Sequence, residues 1–245
     1  MNRVLIFGAS SAIVEATARH FATAGDALFL VGRSRAKLDS VADDLQVRGA
    51  DRTEIAILDA GDVDGQKEVI AQALECLGGV DIAIIGYGIL PDQASADADP
   101  ELVRQTLEIN AISTVCLMAR LAMILERAGS GALAVISSVA GDRGRASNYL
   151  YGASKATIDH YAEGLRCRLS GSGVRVVTIK PGLVDTPMTA DFAKGALWAR
   201  PETVAKRIYA GLLSGPEVLY VPWFWRWIML GLRMIPERIF KRLPL

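Results

Sequence analysis

The sequence predicts a single doubly wound α/β domain with a seven-stranded parallel sheet, and three observations carry this. Seven short apolar runs recur at residues 4–7, 28–31, 55–58, 82–85, 133–136, 174–179 and 218–221. They are continuously apolar rather than alternating, the pattern of strands covered on both faces. Segments of roughly 12–28 residues with helical periodicity separate them. No internal repeat, low-complexity stretch or long linker interrupts the order.

Composition narrows the function. The chain has 245 residues, 51% of them hydrophobic, enough for one sizeable core. Lys plus Arg number 27 against 27 Asp plus Glu, so there is no global case for nucleic-acid binding. Cys76, Cys116 and Cys167 are odd in number and form no CxxC pair. They are expected to be core thiols in a reducing compartment, with neither a disulfide framework nor a metal site. His20 and His160 form no ligand pattern and are expected to pack. Met1-Asn2-Arg3 runs straight into the first strand, unlike a signal peptide. No apolar run reaches the ~18 residues of a membrane span, so the expected location is cytoplasmic.

After the first run comes Gly8-Ala9-Ser10-Ser11-Ala12-Ile13-Val14. A glycine turn at a helix N-terminus offers backbone N–H groups and the helix dipole to a pyrophosphate. The turn is thinned: of a GxxxGxG pattern only Gly8 remains, with Ala12 and Val14 in the other places. Val14 either pushes the helix off the strand or faces the core. The second run ends at Gly32-Arg33-Ser34-Arg35. An acid here would bind the ribose hydroxyls of NAD, whereas Arg33, with Arg35 and Lys37 close by, suits a 2′-phosphate. The expected cofactor is therefore NADP(H), with NAD(H) the alternative. Asp59, after the third run, can accept a hydrogen bond from an adenine amino group. Gly86-Tyr87-Gly88, after the fourth, lets a ribose approach the backbone.

Asp99-Pro100-Glu101 is a helix start: an N-cap, Pro at N1 and an acid in the first turn. The helix it opens is predicted to reach Arg127 and to carry Asn110 in its middle. The fifth run ends at Ser137-Ser138. Thirteen residues beyond Ser138, across a loop with Gly141 and Gly144, lies Tyr151, and four further on Lys155. That spacing puts Tyr151 and Lys155 on one helix face. A phenol has a pKa of about 10, and a nearby ammonium lowers it. Such a tyrosine can exchange a proton with an alcohol or carbonyl oxygen. Asp142, Arg143 and Arg145 border this stretch, either meeting a polar or phosphorylated substrate or lying in a solvated loop. The sixth run ends in Lys180-Pro181-Gly182-Leu183-Val184-Asp185-Thr186.

Four motifs at successive strand ends resemble those of the short-chain dehydrogenase/reductase family over residues 1–221: Gly8 to Ile13, Asn110, Ser138 with Tyr151-x-x-x-Lys155, and Pro181-Gly182-x-Val184-x-Thr186. The resemblance implies a Rossmann-type domain and a carbonyl reductase or alcohol dehydrogenase. It implies that Tyr151 is the proton donor, that Ser138 holds the substrate oxygen, and that Lys155 binds the nicotinamide ribose and acidifies Tyr151. Asn110 would support a water-linked proton path. Gly8, Ser10, Ser11, Ala12, Ile13, Arg33, Asp59, Gly86, Tyr87, Gly88, Tyr151, Lys155, Pro181, Gly182, Val184 and Thr186 would contact the cofactor, Thr186 at its carboxamide. Residues 188–197 fall where the family has a substrate lid, so Met188, Phe192 and Trp198 are expected to line the pocket. The family also implies a homo-dimer or homo-tetramer.

Residues 222–245 form a distinct tail. Three of the chain's four tryptophans, Trp223, Trp225 and Trp227, lie there, with five basic residues against one acid for a net charge of +4. Pro236 is expected to split it into two short helices. Aromatic, apolar and basic residues together predict an interfacial helix on an anionic membrane; packing on the domain or across a dimer is the alternative. The tail from Ile235 to Pro244, Gly86-Tyr87-Gly88 and the loop from Gly141 to Tyr149 resemble one subgroup, the keto-reductase subunit of the decaprenylphosphoryl-ribose 2′-epimerase. That implies reduction of a keto sugar on a polyprenyl phosphate, after a flavoprotein oxidase partner makes the ketone. The alternatives are a reductase of another hydrophobic ketone, such as a ketoacyl chain or steroid, and a non-catalytic cofactor-binding scaffold or sensor.

Overall fold

The computed structural model describes residues 1–243; Pro244 and Leu245, at the end of the tail, lie outside the described residues. All seven apolar runs form parallel strands: β1 (Arg3–Phe7), β2 (Ala27–Gly32), β3 (Arg52–Ile57), β4 (Ile82–Ile85), β5 (Gly131–Ile136), β6 (Val174–Pro181) and β7 (Val218–Val221). Their order in the sheet is β3-β2-β1-β4-β5-β6-β7. The order reverses between β1 and β4, which opens a crevice at the carboxyl ends of those strands. Phe7 sits in register with Val31 on one side and Ile85 on the other. Gly8, Gly32 and Gly86 therefore leave the sheet side by side.

Helices cover both faces. On one, α1 (Ala12–Thr23), α2 (Arg35–Val47) and α8 (Pro201–Ser214) pack on the sheet through residues such as Phe21, Leu38 and Ile208. On the other lie α3 (Gly65–Leu77), α6 (Thr114–Ala128) and α7 (Tyr149–Leu169), packed through Ile70, Leu121 and Ile158. Truncating such a buried aliphatic side chain costs about 2–5 kcal/mol, so the two layers hold the strand ends in fixed relation.

After a short α4 (Gln93–Ala98), the helix begun at Asp99 is continuous to Ala128. Asp99 Oδ1 accepts from the N–H groups of Glu101 and Leu102 at 3.0 and 3.3 Å, and Pro100 occupies the first turn. The rod comprises α5 (Pro100–Leu107), a π-helical stretch (Glu108–Ser113) holding Asn110, and α6. Contrary to expectation, it is apolar enough to span a bilayer by length and composition. Leu117, Met118, Leu121 and Leu125 are nevertheless buried against the sheet, so it is a core helix.

The cysteines also depart from expectation. All three are free, but Cys76 and Cys116 are half-buried and Cys167 is exposed. His160 is a surface residue of α7, and His20 stacks on Tyr209 with ring centroids 5.4 Å apart.

The tail folds as α9 (Trp225–Met234) and α10 (Glu237–Phe240), parted at Pro236 as predicted. Trp225 and Met229 are buried against Val139, with Ile228 and Leu232 on the same face. The opposite face carries exposed Trp227, Leu230 and Met234, flanked by exposed Arg226 and Arg233.

Candidate active site

Gly8 ends β1 with φ +81, a backbone conformation that favours glycine. A Cβ there would sit 2.7 Å from the Tyr87 backbone nitrogen. The chain turns through Ala9-Ser10-Ser11 into α1, whose N-cap Ser11 makes no side-chain cap bond. The first-turn N–H groups at Ala12, Ile13 and Val14 have no intrahelical partner, and the positive end of the dipole faces the turn. These residues fit a dinucleotide pyrophosphate.

The thinned glycine pattern has a packing explanation. Val14 is fully buried and does not push α1 away. A Cβ at Gly86 would lie 2.1 Å from Val14 Cγ2. The bulk removed at position 86 is thus taken up by position 14, and the helix keeps its approach to β4.

Tyr87 faces inward at the end of β4. Its side chain packs against the core and its hydroxyl bonds Ser113 Oγ at 3.0 Å. Its backbone nitrogen and Cβ lie against the glycine turn. Gly88 lies deeper: a Cβ there would be 3.0 Å from Asn110 Oδ1 and 3.6 Å from Lys155 Nζ. Arg33 follows β2 with its side chain exposed and no ion pair among the described residues. Arg35 pairs with Asp39 at 3.7 Å. Exposed Asp59 accepts from the Gly61 N–H at 2.8 Å.

At the end of β5 the chain makes a 3-10 turn, Val139–Asp142, that lies hard against α7. Two glycines permit the contact. A Cβ at Gly152 would be 2.8 Å from Ala140 O, and one at Gly141 would be 2.6 Å from Asp159 Oδ2. Ser138 Oγ accepts from the Ala140 N–H at 3.1 Å, and Ser138 draws the proton affinity of the Tyr151 phenol down. Lys155, on the next turn of α7, is buried, with Nζ 5.6 Å from the Tyr151 ring. Its ammonium donates to Ile136 O at 2.9 Å. Asn110 accepts from Ile89 N and donates to Ile89 O, both at 2.8 Å, and also donates to Ser154 Oγ at 3.3 Å. It fixes the turn after Gly88, work that spacing alone does not reveal. The strand ends thus bring Ser138, Tyr151, Lys155, Asn110 and Gly88 together.

The electrostatics correct one expectation. Burial pushes the Tyr151 phenol up to about 12, with Ser138 pulling the other way. Burial pushes Lys155 down to about 8, opposed by Asp159. Desolvation, rather than the neighbouring ammonium, governs the phenol.

Beyond β6, Gly182 donates to Val221 O at 3.0 Å, Val184 is buried, and Thr186 donates through its N–H to Thr189 Oγ1 at 3.2 Å. Trp225 presses on Gly182, so α9 backs this wall. Met188 and Phe192 are half-exposed to solvent rather than enclosed. Trp198 instead lines a groove of about 430 Å³ with Arg200, Arg207, Pro222, Trp223 and Phe224. A larger hollow of about 580 Å³ lies between α2 and β3, away from these residues.

In the loop before Tyr151, Asp142 and Arg143 are held by protein partners, whereas Gly144, Ala146 and Ser147 are exposed. Arg143 donates to Leu232 O and, at 2.7 Å, to Ile235 O, capping the end of α9. Its guanidinium lies 3.6 Å over the Phe240 ring. Asp142 contacts Lys180 and accepts from Tyr220 OH at 2.9 Å. Burial pushes the Arg145 guanidinium down. Sequence reasoning missed Asp159 and Lys180, which pair at 2.9 Å behind Lys155. Two signals existed: Asp159 continues the four-residue stride from Tyr151 through Lys155, and Lys180 is a lysine at the end of a buried strand.

The sequence profile described as "short chain dehydrogenase" matches residues 2–196. An uncharacterized oxidoreductase of Mycobacterium tuberculosis is 35% identical over 241 residues, covering 98% of this chain and 96% of its own. A protein named sulfoacetaldehyde reductase 2, of Chromohalobacter salexigens, is 35% identical over 188 residues, 76% of this chain and 74% of its own. Among solved structures, an alcohol dehydrogenase of the archaeon Thermococcus sibiricus, complexed with 5-hydroxy-NADP, superposes with a TM-score of 0.79. It is 24% identical over 89% of this chain and 95% of that one, a likeness of fold.

Proposed function

The chain belongs to the short-chain dehydrogenase family, and from that premise we propose that Tyr151 is the proton donor of a reductase acting on a hydrophobic, lipid-borne ketone. The protein is an oxidoreductase acting on alcohol or ketone groups with NAD(P). The observation that carries the reading is the convergence of Ser138, Tyr151 and Lys155 at the end of β5, beside the crevice bordered by Gly8 and Gly88.

The bound nicotinamide supplies the hydride. Gly8 and the first turn of α1 would hold its pyrophosphate, and Gly88 and the Pro181–Thr186 segment would border the cofactor. Negative charge grows on the substrate oxygen as the carbonyl is reduced. Ser138 donates a hydrogen bond to that oxygen, and Tyr151 gives it a proton. A phenol held near 12 keeps its proton at neutral pH, which suits reduction. The Lys155 ammonium stabilises the phenolate left behind. Asn110 fixes the Gly88–Ile89 turn that borders Lys155. Tyr151→Phe is expected to lower carbonyl reduction by roughly 10²–10⁴-fold while NADPH binding persists. Unchanged turnover would refute the assignment.

The preferred cofactor in this reading is NADPH, supported by Arg33 where an acid would favour NAD. The preferred substrate is a keto sugar on a polyprenyl phosphate, made by a flavoprotein oxidase. The groove supports it, since Trp198, Trp223 and Phe224 offer apolar walls and Arg200 and Arg207 can pair with a phosphate. The outward stripe of α9 supports docking on an anionic membrane. The full chain is expected to sediment with phosphatidylglycerol-containing vesicles, less so at high salt, and to lose this on Trp227→Ser with Met234→Ser. No sedimentation, or a dimer that hides Trp227, refutes the membrane contact. Turnover of plain ketones but not of prenyl-phosphate keto sugars refutes the substrate.

A further inference from the structure

Behind the Tyr151–Lys155 pair lies a buried charged cluster that the mechanism above does not use. Asp159 occupies the next position of the same α7 face. Its Oδ2 is 2.9 Å from Lys180 Nζ on β6, and that ammonium also contacts Asp142 in the 3-10 turn. The side chains of Asp142, Lys180 and Asp159 are 2%, 10% and 15% exposed. Tyr220, on β7, donates to Asp142 Oδ2 at 2.9 Å, and the Lys180 ammonium lies 5.6 Å from the Tyr220 ring centroid. The cluster sets two carboxyl groups around one ammonium; burial pushes the Asp159 carboxyl up, and Lys180 pulls it back down.

Lys155 needs a negative partner. Its ammonium is buried, and its hydrogen-bond acceptor is the neutral carbonyl of Ile136. The groups that face it are few. Tyr151 and Asp159 stand a turn away on its own helix. Ser137 and Ser138 come from the end of β5, Gly88 and Asn110 from the β4 side. Lys180, Asp142 and Tyr220 stand behind Asp159. Among these, only the aspartates carry carboxyl groups, and Asp159 is the one on the same face of α7 as Lys155. Gly141 lets the 3-10 turn close over it, since a Cβ there would lie 2.6 Å from Asp159 Oδ2. Two lysines and two aspartates together are neutral, an arrangement a buried site requires if each ammonium is to stay charged.

We propose that Asp159 is a positioning residue for the reaction, the carboxylate that keeps Lys155 charged while Lys180 and Asp142 hold it in place. This rests on the reductase reading of the same site. Asp159 raises the Lys155 proton affinity against the desolvation that lowers it.

The test is the pH profile of carbonyl reduction. The alkaline limb of the unmodified protein is expected near the Lys155 titration. Asp159→Asn removes the balancing charge and moves that limb about one pH unit to acid. Asp159→Glu restores it. A role confined to folding would lower the amplitude and leave the limb in place. Reduction by Asp159→Asn with an unshifted limb overturns the proposal. If Asp159→Asn does not fold, the unmodified protein supplies the answer: the carboxyl ¹³C resonance of Asp159 should show an inflection where Lys155 titrates. Its absence overturns the proposal equally. The inflection without any carbonyl turnover would refute the reductase reading and leave the charge coupling standing.

Discussion

Replacing Gly182 by alanine tests whether the tail is part of the catalytic wall. The new methyl would lie 1.9 Å from Trp225 Nε1, 2.2 Å from Cε2 and 2.3 Å from Cδ1. Non-bonded carbons rest at about 3.5–4 Å, so the indole must retreat by roughly 1.5 Å. It has little room, being held among Val139, Met229 and Leu183. Overpacking of this kind costs about 1–3 kcal/mol. Trp225→Ala alone leaves a cavity and costs about 3–5 kcal/mol. In the double variant the clash is gone, so Gly182→Ala should cost under about 0.5 kcal/mol there. The resulting coupling energy of about 1–2 kcal/mol is readable from urea unfolding followed by circular dichroism, at constant m-value. Additive costs, or a Gly182→Ala variant as stable as the parent, would refute the close contact between α9 and the wall.

Two further outcomes follow from the same geometry. Arg33→Ala should weaken NADPH binding by on the order of tenfold more than NADH binding in a fluorescence titration; equal losses count against a 2′-phosphate site. The pH response has a defined sign. Lys155 is ionised in the folded chain below about pH 8, whereas its ordinary value is 10.5. Carbonyl reduction should therefore fall as pH rises through about 8. Across the same window the unfolded chain binds more protons at this residue, so stability rises relative to Lys155→Met. A flat rate profile to pH 10, or the opposite stability trend, contradicts a buried ammonium.

Much of this protein is legible in one dimension. Apolar runs locate all seven strands; the inner ones are continuous because a strand covered on both faces has no polar side to interrupt it, while edge strand β3 alternates exposed and inward residues. Asp99-Pro100 starts a helix that runs to Ala128 because capping chemistry is local. Tyr151 and Lys155 share a face because four residues make about one turn. What stays hidden depends on neighbours distant in sequence. The place of Val14 is explained only by Gly86, 72 positions away. Arg143 reads as a site residue until α9 is seen to end against it. The phenol reads as acidified until its burial is known.

The sequence by itself determined the sheet, the helix that carries Tyr151 and Lys155, and the residues at each strand end, since periodicity and capping act within a few positions. The tertiary structure alone decided which charges are buried together and which face of the tail turns inward. Desolvation and packing are set by what surrounds a group in space, and Asp142, Asp159, Lys180 and Trp225 acquire their surroundings from four separate parts of the chain.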